Sequence, residues 1–474
     1  MSDSELIPWL PFPLAPVSNG EWVPPPPTAK QRTVMRLVAE ESDRRARKLG
    51  MTRRDFLRTA AGTATAYMVM NQVHGTAMAG DSAVLPVTLE QTRDPSAAAE
   101  MFDAEYFVMD VQLHHVDLAT FGNIRALASL RFLEGNLSVD ERLQNLSQAN
   151  MIKEVWVDSE TAVGVISGVP DGVPMGPEVM AETRDMVNRL SGSNRALSQA
   201  MIDPLDPPGG RLPIGSLERQ VKELGAVAVK TYTGNGTAST PGWFLDDEEI
   251  AYPLYEEAQR LGLSLINVHK GFPNISNFDM TGEFVRSRDI PKASRDWPRL
   301  NFVAYHSGYF PGEGNAEFVG VLEQVRGRGN VYAEIGSAFA VAFLAGPDQA
   351  AHLLGAIAKE VGWDHIIWGT DSIWWGSPQF LIDALKNLQI SPQMQEEFGY
   401  PPLTDGDKAR IFGLNAARLY RVDVAETRNA IAADNIVRIR EDLGGMAESR
   451  TNYVYGPKTR REFLRRASRV TRQG

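Results

Sequence analysis

The stretch VMDVQLHHVD, residues 108–117, carries the pattern that decides the fold of this chain. Asp110, Gln112 and His114 alternate with apolar residues, and in a β-strand such alternate side chains share one face. Three polar groups on one face of a buried strand are costly unless a ligand or a hydrogen-bond partner satisfies them. The stretch therefore predicts a strand that ends at a functional site.

Further apolar stretches of the same kind follow, and they alternate with helical patterns. The predicted strands after the first are KEVWVDSE from Lys153, ALSQAMID from Ala196, VAVKTYTG from Val227, LSLINVHKG from Leu263, NFVAYHSG from Asn301, NVYAEIGS from Asn330 and HIIWGTDS from His365. Helices are predicted between them, among others at 177–190, 249–261, 348–361 and 380–388. Strict alternation with about eight strands predicts a parallel (β/α)8 TIM barrel. An open doubly wound sheet is the competing arrangement, but no glycine fingerprint for a dinucleotide follows an early strand.

Candidate chemical groups stand at the ends of most of these predicted strands. They are Gln112 and His114 on the first strand, Lys230 on the fourth, His269 on the fifth, His306 on the sixth, Glu334 on the seventh and Asp371 on the eighth. In a β/α barrel the carboxyl ends of all strands open on one face. A convergent set of titratable groups is more typical of an active site than of packing.

The composition limits the chemistry of that site. The 474 residues include 48 Lys and Arg against 59 Asp and Glu, a net charge of −11. This balance argues against general binding to nucleic-acid phosphates and favours a small-molecule partner. The chain has no Cys, which excludes disulfides, thiolate nucleophiles and Cys-ligated metals. A metal would have to be bound by His, carboxylate or amide oxygen.

The first hundred residues differ from the rest. Residues 1–50 combine a Pro-rich segment with a charged helix from Ala29, which we interpret as a tether and a surface helix. Residues 51–80 contain TRRDFLR, a weakly apolar run and the triplet Ala77-Met78-Ala79. This order resembles a twin-arginine signal and predicts export to the periplasm; because fifty residues precede it, a cytoplasmic location is the alternative. The apolar run is too short to predict a membrane span.

The remaining boundaries follow from the alternating pattern. We predict the barrel at 100–425 and a C-terminal extension at 426–474. The extension is basic at its end and contains several glycines, and it could wrap around the other subunit of a homodimer.

The region from about 107 to 422 resembles the amidohydrolase superfamily, in the amidohydrolase-related branch that also contains non-oxidative decarboxylases. The resemblance rests on DVQLH at 110–114, NVHKG at 267–271, AYHSG at 304–308, WGTDS at 368–372 and the closing helix KARIFGLNAARLY from Lys408. It covers about two-thirds of the chain and is specific for the superfamily, not for a substrate.

The resemblance implies one divalent metal ion, zinc or manganese, bound by Gln112, His114, His269 and Asp371. It also implies Asp371 as the general base and His306 as the group that orients water or donates a proton. Gln112 stands where relatives have His or sometimes Glu, and a neutral amide is a poorer ligand for zinc. The alternative is catalysis without metal, by the histidines and Asp371 alone.

Lys230, Glu334, Tyr309 and Trp374 are the predicted substrate-binding residues. Lys230 could pair with an anionic group of the substrate, which we favour, or carry a carbamate that bridges two metals. Glu334 could bind the substrate, orient a ligand or pair with Lys230. The two aromatic rings could line an apolar pocket. His115 is predicted to face away from the site.

These roles predict a metal-dependent hydrolase that cleaves an amide, ester or lactone bond of a small carboxylated substrate with activated water. A non-oxidative decarboxylase is the nearest alternative, because the same residues could protonate the carbon that loses CO2. A binding protein with an altered catalytic site is the third.

Overall fold

The computed structural model describes residues 27–75, 77, 80, 82–117, 146–169, 175–234, 242–273 and 282–446. Residues 1–26 of the predicted Pro-rich segment at 1–28, Met78 and Ala79 of the predicted cleavage triplet, and the tail from 447 lie outside the described residues. The predicted domain boundaries, at 1–50, 51–80, 100–425 and 426–474, stay a prediction.

Parallel strands form the centre of the described chain. Their bounds are β1 Val108–Leu113, β2 Thr161–Ile166, β3 Ala196–Ser198, β4 Ala200–Met201, β5 Val229–Tyr232, β6 Leu265–Gly271, β7 Asn301–Tyr309, β8 Val331–Glu334 and β9 Ile366–Ile367. One sheet has the order β1-β2-β3 and the other runs from β4 to β9 in chain order. Only Gln199 separates β3 from β4, so these two form one strand position that joins both sheets.

Backbone hydrogen bonds also join β1 to the chain that follows β9. The Asp371 N–H donates to the Gln112 carbonyl across 3.0 Å, and the Ile373 N–H donates to the His114 carbonyl across 3.1 Å. The buried carboxylate of Asp110 strengthens this junction, because it accepts from the backbone N–H of Thr370 at 3.1 Å. Eight strand positions therefore run around a (β/α)8 barrel, as the sequence predicts.

The prediction of the second strand at 153–160 is wrong. The helix Gln148–Ile152 continues as a π-helical turn over Lys153–Val157, and the strand is formed by the next residues, Thr161–Ile166. Short apolar runs do not distinguish a buried helix from a strand. The two elements pack closely at Gly164, where a Cβ atom would collide with Trp156 and Leu113.

Helices cover the outside of the barrel. Besides Gln148–Ile152, the described α-helices of the barrel and its C-terminal part are Pro177–Ser191, Leu217–Lys222, Tyr252–Arg260, Ile290–Asp296, Ala316–Gln324, Ala338–Ala345, Pro347–Val361, Gln379–Asn387, Pro392–Phe398, Asp405–Ala409, Asn415–Tyr420, Val424–Ile431 and Asn435–Asp442. The predicted helices agree with these to within one residue at most ends. The exception is the helix predicted from 249, which begins at Tyr252 because turns occupy the preceding residues.

The N-terminal helices Ala29–Lys48, Arg53–Phe56, Ala60–His74 and Pro95–Ala99 pack against this body. The prediction of a surface helix at Ala29 is only partly right, because Val34 and Val38 lie in the main hydrophobic core. Tyr67 also belongs to that core, and its ring meets Phe343 edge-on at 6.1 Å. Among the described helices, none combines the length and the apolar character that a bilayer crossing requires. Export stays a prediction.

Candidate active site

Several residues at the carboxyl ends of the strands adopt left-handed backbone conformations. The φ angles are 66° at His306, 62° at Asp371, 47° at Ser337 and 32° at Phe272. Such conformations are unfavourable for residues with a Cβ atom and tend to occur at functional sites. They turn the chain sharply at the mouth of the barrel.

Four side chains from three strand ends meet there. The Gln112 Nε2 donates to Asp371 Oδ1 at 3.0 Å and lies 3.4 Å from His114 Nε2 and 3.3 Å from His306 Nε2. His114 Nε2 lies 3.2 Å from Asp371 Oδ1. All four residues are buried. The structure thus brings together Gln112, His114, His306 and Asp371, as the strand-end pattern predicts.

The two imidazoles of this cluster are held in one tautomer. His114 Nδ1 donates to the Ser167 carbonyl at 2.7 Å, and His306 Nδ1 donates to the Gly336 carbonyl at 2.9 Å. A carbonyl oxygen can only accept, so Nδ1 of each ring carries a hydrogen and Nε2 is the atom that faces the cluster. Burial lowers the pKa of His306 to about 4, so His306 is neutral at pH 7.

Asp371 is fixed by a residue that the sequence analysis missed. Ser337 Oγ donates to Asp371 Oδ2 at 2.5 Å, and Trp375 Nε1 donates to Ser337 Oγ at 2.9 Å. Burial alone would raise the pKa of Asp371, but hydrogen bonding to His114, the two nearby imidazoles and the bond from Ser337 bring that pKa below its usual value. The signal available in the sequence was the serine after Gly336, three residues beyond Glu334, at the end of a predicted strand.

Glu334 supports the backbone next to the cluster. Its Oε2 accepts from the His306 N–H at 2.8 Å, and its Oε1 accepts from the Gly336 N–H at 2.6 Å. Burial raises the pKa of Glu334 to about 8. Gly369 allows the close approach, because a Cβ atom at that position would collide with the carboxylate. Both oxygens of Glu334 therefore have backbone partners.

Lys230 lies inside the barrel and has no exposed surface. Its Nζ stands 3.8 Å from the centre of the Tyr305 ring and 4.7 Å from that of Tyr232. Aromatic faces attract a cation, and they would repel the anionic carbamate. The contacts therefore favour a protonated lysine.

One ring nitrogen of His269 faces the backbone and not the cluster. Its Nε2 lies 3.0 Å from the Phe272 carbonyl, and its ring stacks on Tyr232 at 5.1 Å and meets His306 edge-on at 4.7 Å. Its Nδ1 is buried without a hydrogen-bond partner among the described residues. Burial and the neighbouring His306 and Lys230 lower the pKa of His269 well below its usual value.

The predicted metal ligands are only partly assembled. Within the described residues, no three side chains of His, Asp or Glu are grouped so as to hold a metal ion. His269 accordingly does not join His114 and Asp371 in such a group. The cluster instead combines these two residues with the amide of Gln112.

That smaller set has the spacing of a metal site once the Gln112 amide is turned. Ligands bound to one zinc ion at about 2.0–2.2 Å lie roughly 3–3.5 Å apart. His114 Nε2 and Asp371 Oδ1 are 3.2 Å apart, and the Gln112 amide nitrogen occupies the third place, at 3.4 Å and 3.0 Å from them, where the amide oxygen would have to stand to bind the ion. The Gln112 Oε1 is buried without a hydrogen-bond partner in the described part of the chain. His114 Nε2 and Asp371 Oδ1 lie close enough for one proton or one cation to join them.

The predicted aromatic residues lie around the imidazoles. Trp374 stacks on His114 at 6.0 Å, and Tyr309 stacks on Phe272 at 5.5 Å. Both Trp374 and Tyr309 are half-buried. His115 bonds to Thr183 at 2.8 Å, outside the cluster, which agrees with its predicted structural role.

A family model described as amidohydrolase matches residues 159–422, more than half of the chain. The match begins after β1, so Gln112 and His114 lie outside it, whereas His306, Glu334 and Asp371 lie inside. Curated protein sequences give no match.

Solved structures similar to this chain include three bacterial proteins. A dihydroxybenzoic acid decarboxylase from Polaromonas sp., with bound manganese and the inhibitor 2-nitroresorcinol, is 16% identical over 68% of this chain and 99% of its own, with a TM-score of 0.44. The 4-oxalomesaconate hydratase of Rhodopseudomonas palustris is 19% identical over 68% and 98%, with a TM-score of 0.44. An uncharacterized TIM-barrel protein from Bordetella bronchiseptica is 18% identical over 66% and 98%, with a TM-score of 0.43.

Proposed function

The chain belongs to the amidohydrolase family and is an enzyme of that kind, and on this premise we propose that it hydrolyses a C–N or C–O bond. The proposed substrate is a small carboxylated amide, ester or lactone. The observation that supports hydrolysis best is the placement of the Asp371 carboxylate, with Oδ2 bonded to Ser337 and Oδ1 directed at His114 and Gln112.

Asp371 is the proposed general base. A carboxylate whose pKa lies below its usual value is ionised at neutral pH and can accept a proton from water. Its left-handed backbone and the bond from Ser337 hold Oδ1 toward the cluster. The proton would be received at Oδ1.

His306 is proposed to orient that water. Its Nε2 carries the lone pair, because Nδ1 donates to the Gly336 carbonyl. With a pKa of about 4, it is a hydrogen-bond acceptor at neutral pH and a poor donor of a proton to a leaving group. Of the two roles that the resemblance implies, the geometry therefore favours orientation.

Gln112, His114 and Asp371 are the residues that would hold a divalent cation, zinc or manganese. When bound, such an ion lowers the pKa of water and polarises a carbonyl group. Asp371 is proposed to accept the proton of the attacking water, and His306 is proposed to orient that water.

The substrate would bind on the open side of the cluster. Tyr309 and Trp374 are half-buried there and are the proposed walls of the pocket. Lys230 and Glu334 lie deeper, so we propose that they support His306 and the local charge balance and do not touch the substrate.

A screen of carboxylated esters, lactones and amides, run with EDTA or with Mn2+, tests this function. We expect wild type to incorporate 18O from labelled water into the product acid, and Asp371→Asn to lose about 10³-fold or more in kcat. Asp103→Asn makes the same substitution on an exposed residue and should retain full activity. Turnover by Asp371→Asn at the wild-type rate would refute the role of Asp371.

The same screen separates the decarboxylase alternative. Gln112 stands where some decarboxylases of this branch carry Glu, which is the feature in favour of that reaction. Release of CO2 from an aromatic or enoic acid, with deuterium from solvent at the vacated carbon, would establish decarboxylation. Ligand binding without turnover of either kind would indicate a binding protein.

A further inference from the structure

The carboxamide of Gln112 has an unusual position for a predicted metal ligand. Its nitrogen, and not its oxygen, faces the acceptors, at 3.0 Å from Asp371 Oδ1, 3.3 Å from His306 Nε2 and 3.4 Å from His114 Nε2. The amide hydrogens thus place positive partial charge beside the Asp371 carboxylate and the lone pair of His306 Nε2.

The other end of the same amide is unsatisfied. Gln112 Oε1 is buried and has no hydrogen-bond partner among the described residues. It lies beside Gly336, where a Cβ atom would collide with it, so no side chain at that position can serve as a donor. Because Nε2 is hydrogen-bonded and Oε1 is not, a half rotation of the amide would give the oxygen a partner when a cation is bound.

We propose that Gln112 gives this site two self-consistent arrangements. In one, the amide nitrogen donates to Asp371 and no ion is needed. In the other, the amide turns by half a rotation and its oxygen joins His114 and Asp371 around a divalent cation. The inference rests on the metal centre of the proposed function and adds that the ion binds reversibly, with Gln112 as the residue that makes both states stable.

Substitutions at this position separate the two arrangements. In Gln112→Glu a carboxylate replaces the donor, so the cation gains a charged ligand, but without the cation the new carboxylate faces that of Asp371 and the lone pair of His306 Nε2. In Gln112→Met both the donor and the oxygen are lost. Gln112→Glu should therefore raise the affinity for the cation and lower the stability of the ion-free protein. Gln112→Met should lower both.

The experiment measures Mn2+ affinity by calorimetry and the melting temperature in EDTA. We expect Gln112→Glu to bind Mn2+ about tenfold or more tightly than wild type, and to melt at a lower temperature in EDTA. Gln112→Met should bind Mn2+ more weakly and also melt lower in EDTA. Gln220→Glu is the matched control, because Gln220 is equally buried but bonds to Met201 and Ser216; it should leave Mn2+ affinity unchanged.

Wild type supplies a test that needs no variant. Crystals grown with Mn2+ should show Oε1 of Gln112 toward the ion, and crystals grown with EDTA should show Nε2 toward Asp371. No Mn2+ binding by wild type, equal affinity in wild type and Gln112→Glu, or an ion bound without Gln112 would overturn the proposal. Absence of hydrolysis alongside the expected shifts would count against the proposed reaction alone.

Discussion

Ser337 donates its hydroxyl hydrogen to Oδ2 of Asp371 across 2.5 Å, while its own oxygen accepts from the indole of Trp375 across 2.9 Å. The indole N–H can only donate, so it directs the serine hydrogen toward the carboxylate. The donors therefore run in one direction, from Trp375 through Ser337 to Asp371. This arrangement fixes the carboxylate and leaves Oδ1 directed at the cluster.

Ser337→Ala should lower kcat by about 10–100-fold with little change in KM, because it removes a group that orients the base and does not touch the substrate. Steady-state kinetics on any substrate found by the screen gives both parameters. Ser337→Gly is the matched variant: it also lacks the hydroxyl but tolerates the φ angle of 47°. Equal loss in both variants points to the hydroxyl, whereas recovery in Ser337→Gly would point to backbone strain.

Glu334→Gln should destabilise the protein by about 2 kcal/mol. Both carboxylate oxygens accept hydrogen bonds from backbone N–H groups. In Glu334→Gln the amide nitrogen would replace one of these oxygens and face a backbone N–H, so two donors would meet without an acceptor. Because one of these bonds holds the backbone of His306, activity should fall as well. Urea unfolding gives the free energy. A Glu334→Gln protein as stable and as active as wild type would contradict this positioning role.

Lys230→Met should leave KM unchanged while kcat falls. The Lys230 ammonium group lies against Tyr305 and Tyr232, and its proposed role is to act on the imidazoles of the site without touching the substrate. A lysine that anchors a substrate carboxylate would instead show its effect mainly in KM. Steady-state kinetics distinguishes the two results. A carbamate at Lys230 would make activity respond to added bicarbonate, and we expect no response.

The strand-end pattern was sufficient to predict the barrel and its main polar residues. His306 and Asp371 follow apolar runs so regularly that their convergence needed only the parallel fold. The contact between Ser337 and Asp371 could not be predicted, because it depends on left-handed backbone at both residues. The second strand was misassigned because Val155 and Trp156 are equally compatible with a buried helix.

The prediction of a surface helix from Ala29 was incomplete for a different reason. Val34 and Val38 lie one helical turn apart in an otherwise charged segment, and the pattern alone does not reveal which surface they meet. The orientation of Gln112 is a third case, because the sequence gives the residue but not which end of its amide faces the acceptors. Contacts between distant elements decide both features.

Removal of residues 1–79 should strongly destabilise the protein. The helix Ala60–His74 contributes Tyr67, Val69 and Met70 to the main core, and each large buried apolar side chain is worth about 1.5–3 kcal/mol. His74 also lies 3.1 Å from Asp348 of the barrel. Thermal melting of the chain that begins at Gly80 checks this.

The same experiment bears on export. If a twin-arginine signal is removed after Ala79, the shortened chain is the mature protein, and its melting temperature should match that of the full chain. Val69→Ala provides a milder change in the full chain and should cost about 1–2 kcal/mol. An unchanged melting temperature in the shortened chain would contradict the structural role of this helix.

Arg195 and Asp434 form a buried ion pair that makes stability depend on pH. Arg195 Nε donates to Asp434 Oδ2 at 2.5 Å and its Nη2 to Oδ1 at 3.1 Å. Burial opposes ionisation of Asp434, but the bonds from Arg195 and Ser193 bring its pKa below the usual value. A carboxyl whose pKa is lowered by folding stabilises the protein fully above the unfolded pKa of about 3.9, and that contribution is lost progressively as pH falls from there through the lower pKa of the folded state.

Asp434→Asn should therefore cost about 3 kcal/mol at pH 7 and less near pH 3, where wild type has already lost part of this contribution. Asparagine still caps the helix Asn435–Asp442, because Asn is a good N-cap residue, so the variant isolates the ion pair. Asp423→Asn is the matched control: Asp423 is an exposed N-cap, and the change should stay within about 0.5 kcal/mol. Urea unfolding of wild type and both variants at the two pH values gives the change in unfolding free energy for each variant at each pH. A pH-independent loss in Asp434→Asn would mean that the ion pair does not control the acid sensitivity, because a charge that titrates cannot contribute equally on both sides of its pKa.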